Sequence, residues 1–373
     1  MSNIKRTAIA LVVIAAIAII ASSFQGSDVL DRAIIVGIGV DAADDGLLLT
    51  CEVVSPGNGS EQVGTYSKIV TSSGATVGQA LQGIAEKAGK EASLGQCVVV
   101  ILGEGYFDQV DFSATTDYFI NSNSVKESAV ICCCEGSAYE LMNKGDALSQ
   151  SVSMSVASML IDQAREVGVT PNNLLKYARS QAELHKTGFL NKVKFQPSQN
   201  NDAQDPDKTL GFFTYGEIAV FRSNAYLCTL NEQEVKGMSL FFKEVTGDAF
   251  VSDETGTMLT VSVNNKDVKQ SIDGNEVTIE ISLSVRLSRT DSAEVSGSLA
   301  AKKNKEIDPK VLQSVQQQAT ALAEQFLAKQ AQYNFDLIKL HESLRQKQGT
   351  SDALASKPTA DFNIKLTLKV EEN

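Results

Sequence analysis

The alternation of apolar and polar positions divides the chain into one long uncharged run and a series of shorter, periodic segments. Residues 7–24, TAIALVVIAAIAIIASSF, carry no charge and are long enough to cross a bilayer as a helix. Lys5 and Arg6 precede the run, and Asp28 and Asp31 follow it. That asymmetry predicts a cytoplasmic N-terminus and an extracytoplasmic body beyond about residue 26. Two outcomes fit the segment: a retained anchor, or a secretory signal cleaved near the small residues Ala21, Ser22 and Ser23. The run exceeds the usual signal core of about 7–15 residues, which favours retention.

Beyond it, residues 33–40 (AIIVGIGV) read as a buried strand, turned by Asp44-Asp45-Gly46 into a partner at 47–54. A glycine-rich loop spans 56–64. Val77, Leu81, Ile84 and Ala88 recur at helical spacing. Residues 97–102 and 129–134 are further buried strands, with 112–120 helical between them. Ser137 and Glu140 form the pattern of a capping box that opens a helix. Residues 151–167 predict another helix, and Thr170 with Pro171 predicts the start of one that runs to His185.

The polar stretch 196–209 (QPSQNNDAQDPDKT) reads as a linker. After it, 216–222 and 225–230 flank Ser223-Asn224 as a hairpin, and Asn231 with Glu234 caps a short helix ending at Gly237. Residues 240–245 and 258–263 predict strands. From Val277 to Leu287 every second residue is apolar, the mark of a strand with one wet face. Asp308-Pro309 opens a long helix whose apolar positions Leu312, Val315, Ala319, Leu322 and Phe326 predict one face packed on a sheet. Residues 362–370 alternate again as a final strand.

Charge narrows the partners. The formal charge is −12, and the part beyond residue 26 holds all 45 acidic residues without Lys5 and Arg6, giving it −14. An acidic body argues against nucleic acid and against lying flat on anionic lipid. The six cysteines, at 51, 97, 132, 133, 134 and 228, are too few for a disulfide scaffold. Cys132 and Cys134 should point to one face of their strand and Cys133 to the other, as small buried hydrophobes rather than a metal or redox site. The two histidines, His185 and His341, are remote from them in sequence, so no zinc pattern forms.

Asp202, Asp205 and Asp207 lack the glycine and closing glutamate of a calcium loop. Gly37-Ile38-Gly39 does not continue as a dinucleotide fingerprint, and no phosphate loop, HExxH or GxSxG occurs. No catalytic, cofactor-binding or metal-ligating residue is assigned, and an enzyme is not expected.

Several segments together resemble the Ger(x)C family of spore germination proteins, the C subunits of germinant receptors. They are Asp31-Arg32 with AIIVGIGVD (33–41), SGATVGQALQGIAEKAGKEASLGQCVVVILGEGYF (73–107) and VGVTPNNLLKYARS (167–180). GEIAVFRSNAYLCTLNEQEVKG (216–237), residues 330–340 and the closing strand complete the set in order. Family members typically carry a lipid-modified cysteine near the start of this region, often before Trp-Asp; here Val29-Leu30-Asp31 stands there instead. The chain is thus similar to a variant that replaces the lipid by an apolar helix.

The resemblance implies a non-enzymatic, membrane-tethered subunit on the outer face of the spore's inner membrane. Its partners would be the membrane, an integral-membrane A-type subunit and a permease-like B-type subunit, in nutrient-triggered germination. The expected fold is mixed α/β and α+β: a multi-domain extracytoplasmic body of mixed sheets flanked by helices, on one N-terminal transmembrane helix. The expected division is an anchor or signal at 1–26, an α/β domain with a helical extension at 27–195, the linker 196–209 and an α+β domain at 210–373, divisible near 247–256. The competing reading is an extracytoplasmic small-solute binding protein, against which stands the lack of tryptophan and the scatter of the aromatic residues along the chain.

Overall fold

The structure, a computed structural model, describes residues 32–56, 65–109, 112–121, 125–146, 151–164, 169–198, 210–242, 249–252, 259–290, 307–349 and 357–372. The expected anchor at 7–24 and Asp202, Asp205 and Asp207 lie outside them. Among the described residues no helix is long and apolar enough to cross a membrane.

In chain order, β1 (Arg32–Ala43), β2 (Gly46–Pro56) and β3 (Thr65–Gly74) form an antiparallel meander. Helix α1 (Val77–Ala88) follows, capped by Thr76 and stopped by Gly89 in the left-handed region at φ 65°. Then come β4 (Glu91–Ser93), β5 (Val99–Leu102), α2 (Glu104–Gln109), α3 (Ser113–Asn121) and β6 (Val130–Cys134). Next are α4 (Ala138–Met142), the two-residue β7 (Gly145–Asp146), α5 (Val152–Asp162), α6 (Leu174–Ala182) and β8 (Thr187–Pro197). Strands β9 (Leu210–Arg222) and β10 (Ala225–Leu230) complete the first sheet, in the order β10-β9-β8-β6-β5-β1-β2-β3. Its middle four strands, β8, β6, β5 and β1, are parallel neighbours, and an antiparallel hairpin closes each side.

Helix α7 (Glu232–Ser239) leads into the second sheet of β11 (Ala249–Ser252), β12 (Leu259–Asp273), β13 (Glu276–Thr290) and β14 (Asn363–Glu372), in that order. Helices α8 (Pro309–Tyr333) and α9 (Leu340–Gln348) carry the chain from β13 to β14, which pair in parallel. The result is mixed α+β, with sheets flanked by helices.

Local chemistry accounts for most boundaries. Asn231 and Glu234 make both halves of the expected capping box, and Asp308 caps α8 with Pro309 in its first turn. Ser223 and Asn224 both hold positive φ, 51° and 61°, as a two-residue type I′ turn requires. Three expectations are corrected. The helix predicted from Thr170 begins only at Leu174, capped by Asn173, because the preceding residues bridge β6: the Ile131 amide donates to the Asn172 carbonyl and Asn173 bridges Val130. It ends at Ala182, not His185. The short helix after Asn231 runs past Gly237 to Ser239. Residues 240–242, read as the start of a strand, instead form the turn that leaves it, with Leu240 and Phe241 buried.

The core falls into three parts, and β9 belongs to all of them. Phe213 and Tyr215 join the layer under α5, with Cys132 and Cys134. After a bulge opposite Lys192/Val193, Ala219 and Phe221 face the opposite layer, with Cys133, Phe107 and Tyr177. Ile218 and Val220 point the other way into the second core, against α7, α8 and the second sheet. Strict alternation in a strand buried on both faces ties the two sheets together through GEIAVF (216–221).

Candidate functional site

In an open sheet with parallel strands, ligands usually bind beyond the carboxyl ends of those strands. Here that edge is filled by side chains that serve the fold. The Asp41 carboxylate at the end of β1 accepts the Ala138 and Tyr139 amides, each at 2.8 Å, and the Ser137 hydroxyl at 3.0 Å. It therefore caps α4 together with Ser137, which accepts from Tyr139 and Glu140. Gly103 leaves the room, since a Cβ there would collide with Asp41. Glu104 pairs with Lys192 at 2.6 Å and accepts the Gly136 amide at 3.1 Å. Burial opposes the Glu104 charge, but these hydrogen bonds outweigh it and hold the carboxyl below its ordinary value. Glu52, also buried, accepts the Ser153 amide at the start of α5.

The thiols are equally enclosed. All six cysteines are unpaired and buried, with Cys132 and Cys134 on one face of β6 and Cys133 on the other. Burial drives the Cys132 and Cys134 thiols well up, and pushes Cys97 and Cys133 to about 12 and Cys228 to about 11. Thiols so placed hold almost no thiolate near neutral pH. Among the described residues no group of three or more histidine, cysteine, aspartate or glutamate side chains is placed to hold a metal.

The two histidines, 156 positions apart in the chain, meet where the two halves join. Their rings stack at 4.2 Å and 23°. His341 Nδ1 lies 2.7 Å from Asp336 Oδ2, and its Nε2 lies 2.7 Å from the Lys357 carbonyl. Both ring nitrogens thus face oxygen atoms at hydrogen-bond distance. Asp336 also accepts the Leu340 and His341 amides, each at 2.9 Å. His185 contacts the Thr187 hydroxyl at 2.9 Å, and Thr187 accepts the Asp336 amide. Burial first, and then the neighbouring His341, lower the His185 pKa to about 4.

Beside this stack a cleft of about 470 Å³ opens between the halves. Val169, Phe189, Met238, Phe241 and Leu337 supply apolar lining. Lys176 and Arg179 stand on it from α6 and Lys339 from the opposite side. No sequence motif marked these residues as a site. They come from separate stretches of chain, and only the packing of α6, α7 and residues 336–339 brings them together.

No curated protein matches the chain in sequence. The structure is similar to a solved structure described as "Crystal Structure of the GerBC protein", with a TM-score of 0.50 and 13% identity over 90% of this chain and 96% of that one. The domain family described as "Spore germination protein N-terminal domain" matches residues 26–194. The family described as "Spore germination B3/ GerAC like, C-terminal" matches residues 216–373. With both matches in order over most of its length, the chain belongs to the GerAC-like family of spore germination proteins, the C-subunit type of germinant receptor.

Proposed function

We propose that this protein is a non-enzymatic subunit of a germinant receptor, held by residues 7–24 in the spore's inner membrane with its body on the extracytoplasmic face. There it assembles with an integral-membrane A-type subunit and a permease-like B-type subunit in nutrient-triggered germination. The observation that carries this reading is the pair of family matches, residues 26–194 and 216–373, lying in order along one chain. The same matches support family units at 27–195 and 210–373 with 196–209 between them. The tether rests on the uncharged 7–24 run, the preceding Lys5 and Arg6, and the absence of a cysteine before Cys51 that could carry a lipid.

Spores provide the test. Tagged full-length protein, solubilised in mild detergent, should bring down a multi-span and a permease-like protein, and deletion of its gene should slow nutrient-triggered germination. A chain that purifies alone from spores germinating at the normal rate would overturn the assignment. N-terminal sequencing of the membrane fraction tests the tether separately: a mature start at Phe24 or later would refute a retained anchor.

A further inference from the structure

The cleft between the halves has the make-up of a small-molecule site. Its volume, about 470 Å³, falls within the range of roughly 300–1,000 Å³ typical of ligand pockets. Three phenylalanines, Phe189, Phe241 and Phe242, and Met238 line it, and such walls suit an aromatic or bulky apolar body through ring packing and sulfur–ring contact. The rim has a sign. Lys176 and Arg179 lie three positions apart on α6, so they share a face.

The acids near them are already engaged. Glu183 holds Lys339 at 2.5 Å, and Asp336 is taken up by two amides and the His341 ring. Among the described residues the Arg179 side chain makes no ion pair or hydrogen bond. An exposed guanidinium at the rim of an apolar cleft, in a chain of net charge −12, is suited to a planar carboxylate, which it can grip with two parallel hydrogen bonds.

We infer that this cleft binds a small organic anion of the arylalkyl carboxylate class, with its carboxylate on Arg179 and its apolar body against Phe189, Met238 and Phe241. Such a ligand touches both halves at once and stabilises their junction by mass action. The inference stands on the cleft alone and does not depend on the receptor role.

The test uses the full-length chain in non-ionic detergent, titrated calorimetrically with 3-phenylpropionate and, in parallel, with its uncharged analogue 3-phenylpropanamide. The acid should bind saturably at one site, and the amide about tenfold more weakly. Arg179→Gln should weaken the acid by a similar factor and leave the amide unchanged. Arg179 is exposed, so the variant should keep the wild-type unfolding temperature. Isotope-labelled histidine gives a second readout, because the chain's two histidines both lie at the junction and Asp336, which lines the cleft, contacts one of them. Their resonances should shift on binding in the cleft, and partition into detergent would leave them still. No saturable binding at millimolar acid, equal affinity for acid and amide, or binding untouched by Arg179→Gln would each overturn the proposal.

Discussion

Gly237 lies where α7 crosses α8, and a Cβ there would collide with the Leu322 carbonyl of the facing helix. Backbone cannot retreat as a flexible side chain can, so Gly237→Ala should destabilise by about 1–3 kcal/mol. Chemical denaturation of the full-length protein, with an unchanged slope, checks it; a variant as stable as wild type would show that the helices can separate freely. The thiols give an opposite, protective expectation. In native buffer Cys132, Cys133 and Cys134 should resist alkylation over the time in which all six react in denaturant, since burial keeps them protonated. Fast labelling of this trio in the folded protein would revive a redox role. At this scale the sequence was legible where burial alone decides: an apolar approach and strand alternation place the three cysteines correctly. It was illegible for Asp41, whose partners, Ser137 to Tyr139, come from the far side of two crossovers.

Elements with their own local signals formed where those signals stand. The capping box at Asn231 and Glu234 satisfies amides that nothing else reaches, so Asn231→Ala should cost about 0.5–2 kcal/mol in thermal or denaturant unfolding. The β9–β10 turn demands positive φ at both central residues. Ser223→Gly should therefore preserve or raise stability, whereas Ser223→Val should lower it by about 1–3 kcal/mol. Equal midpoints for the two variants would count against the turn geometry. Strands without such signals escaped the reading. β3 is a sheet edge rich in serine and threonine, with Ile69 and Val70 as its aliphatic residues. β8 buries the polar Asn191 and Lys192 beside Leu190 and Val193, so its sequence shows no clean apolar–polar alternation although its two faces keep their phase. The helix expected from Thr170 shows the converse: good local caps lost to pairing with β6.

At the scale of the whole molecule, the junction of the two halves holds a pH-sensitive contact. His185 is protonated near pH 6.5 in the unfolded chain but only near pH 4 when folded. Between those values the unfolded state binds more protons, so stability rises with pH through the window and erodes as pH falls from about 6.5 towards 4. His185 faces His341, Asp336 and Arg222, and acids titrating elsewhere add to the slope. The diagnostic is therefore a difference: His185→Phe should flatten the stability profile between pH 4 and 6.5 relative to wild type, and identical slopes would remove His185 from the account. The aromatic cleft beside it was hidden because Phe189 lies far in sequence from the adjacent Phe241 and Phe242, and only packing brings them together. The sharing of β9 between cores carries a consequence for how the chain is made. A chain is synthesised N-terminus first, and when residue 195 appears, β8 still lacks its neighbour on one side. That open edge must wait for residues 210–230 before its hydrogen bonds close, and a fragment ending at 195 would present it permanently, a template for aggregation. The interval of synthesis between residues 195 and 230 is where this architecture is most exposed.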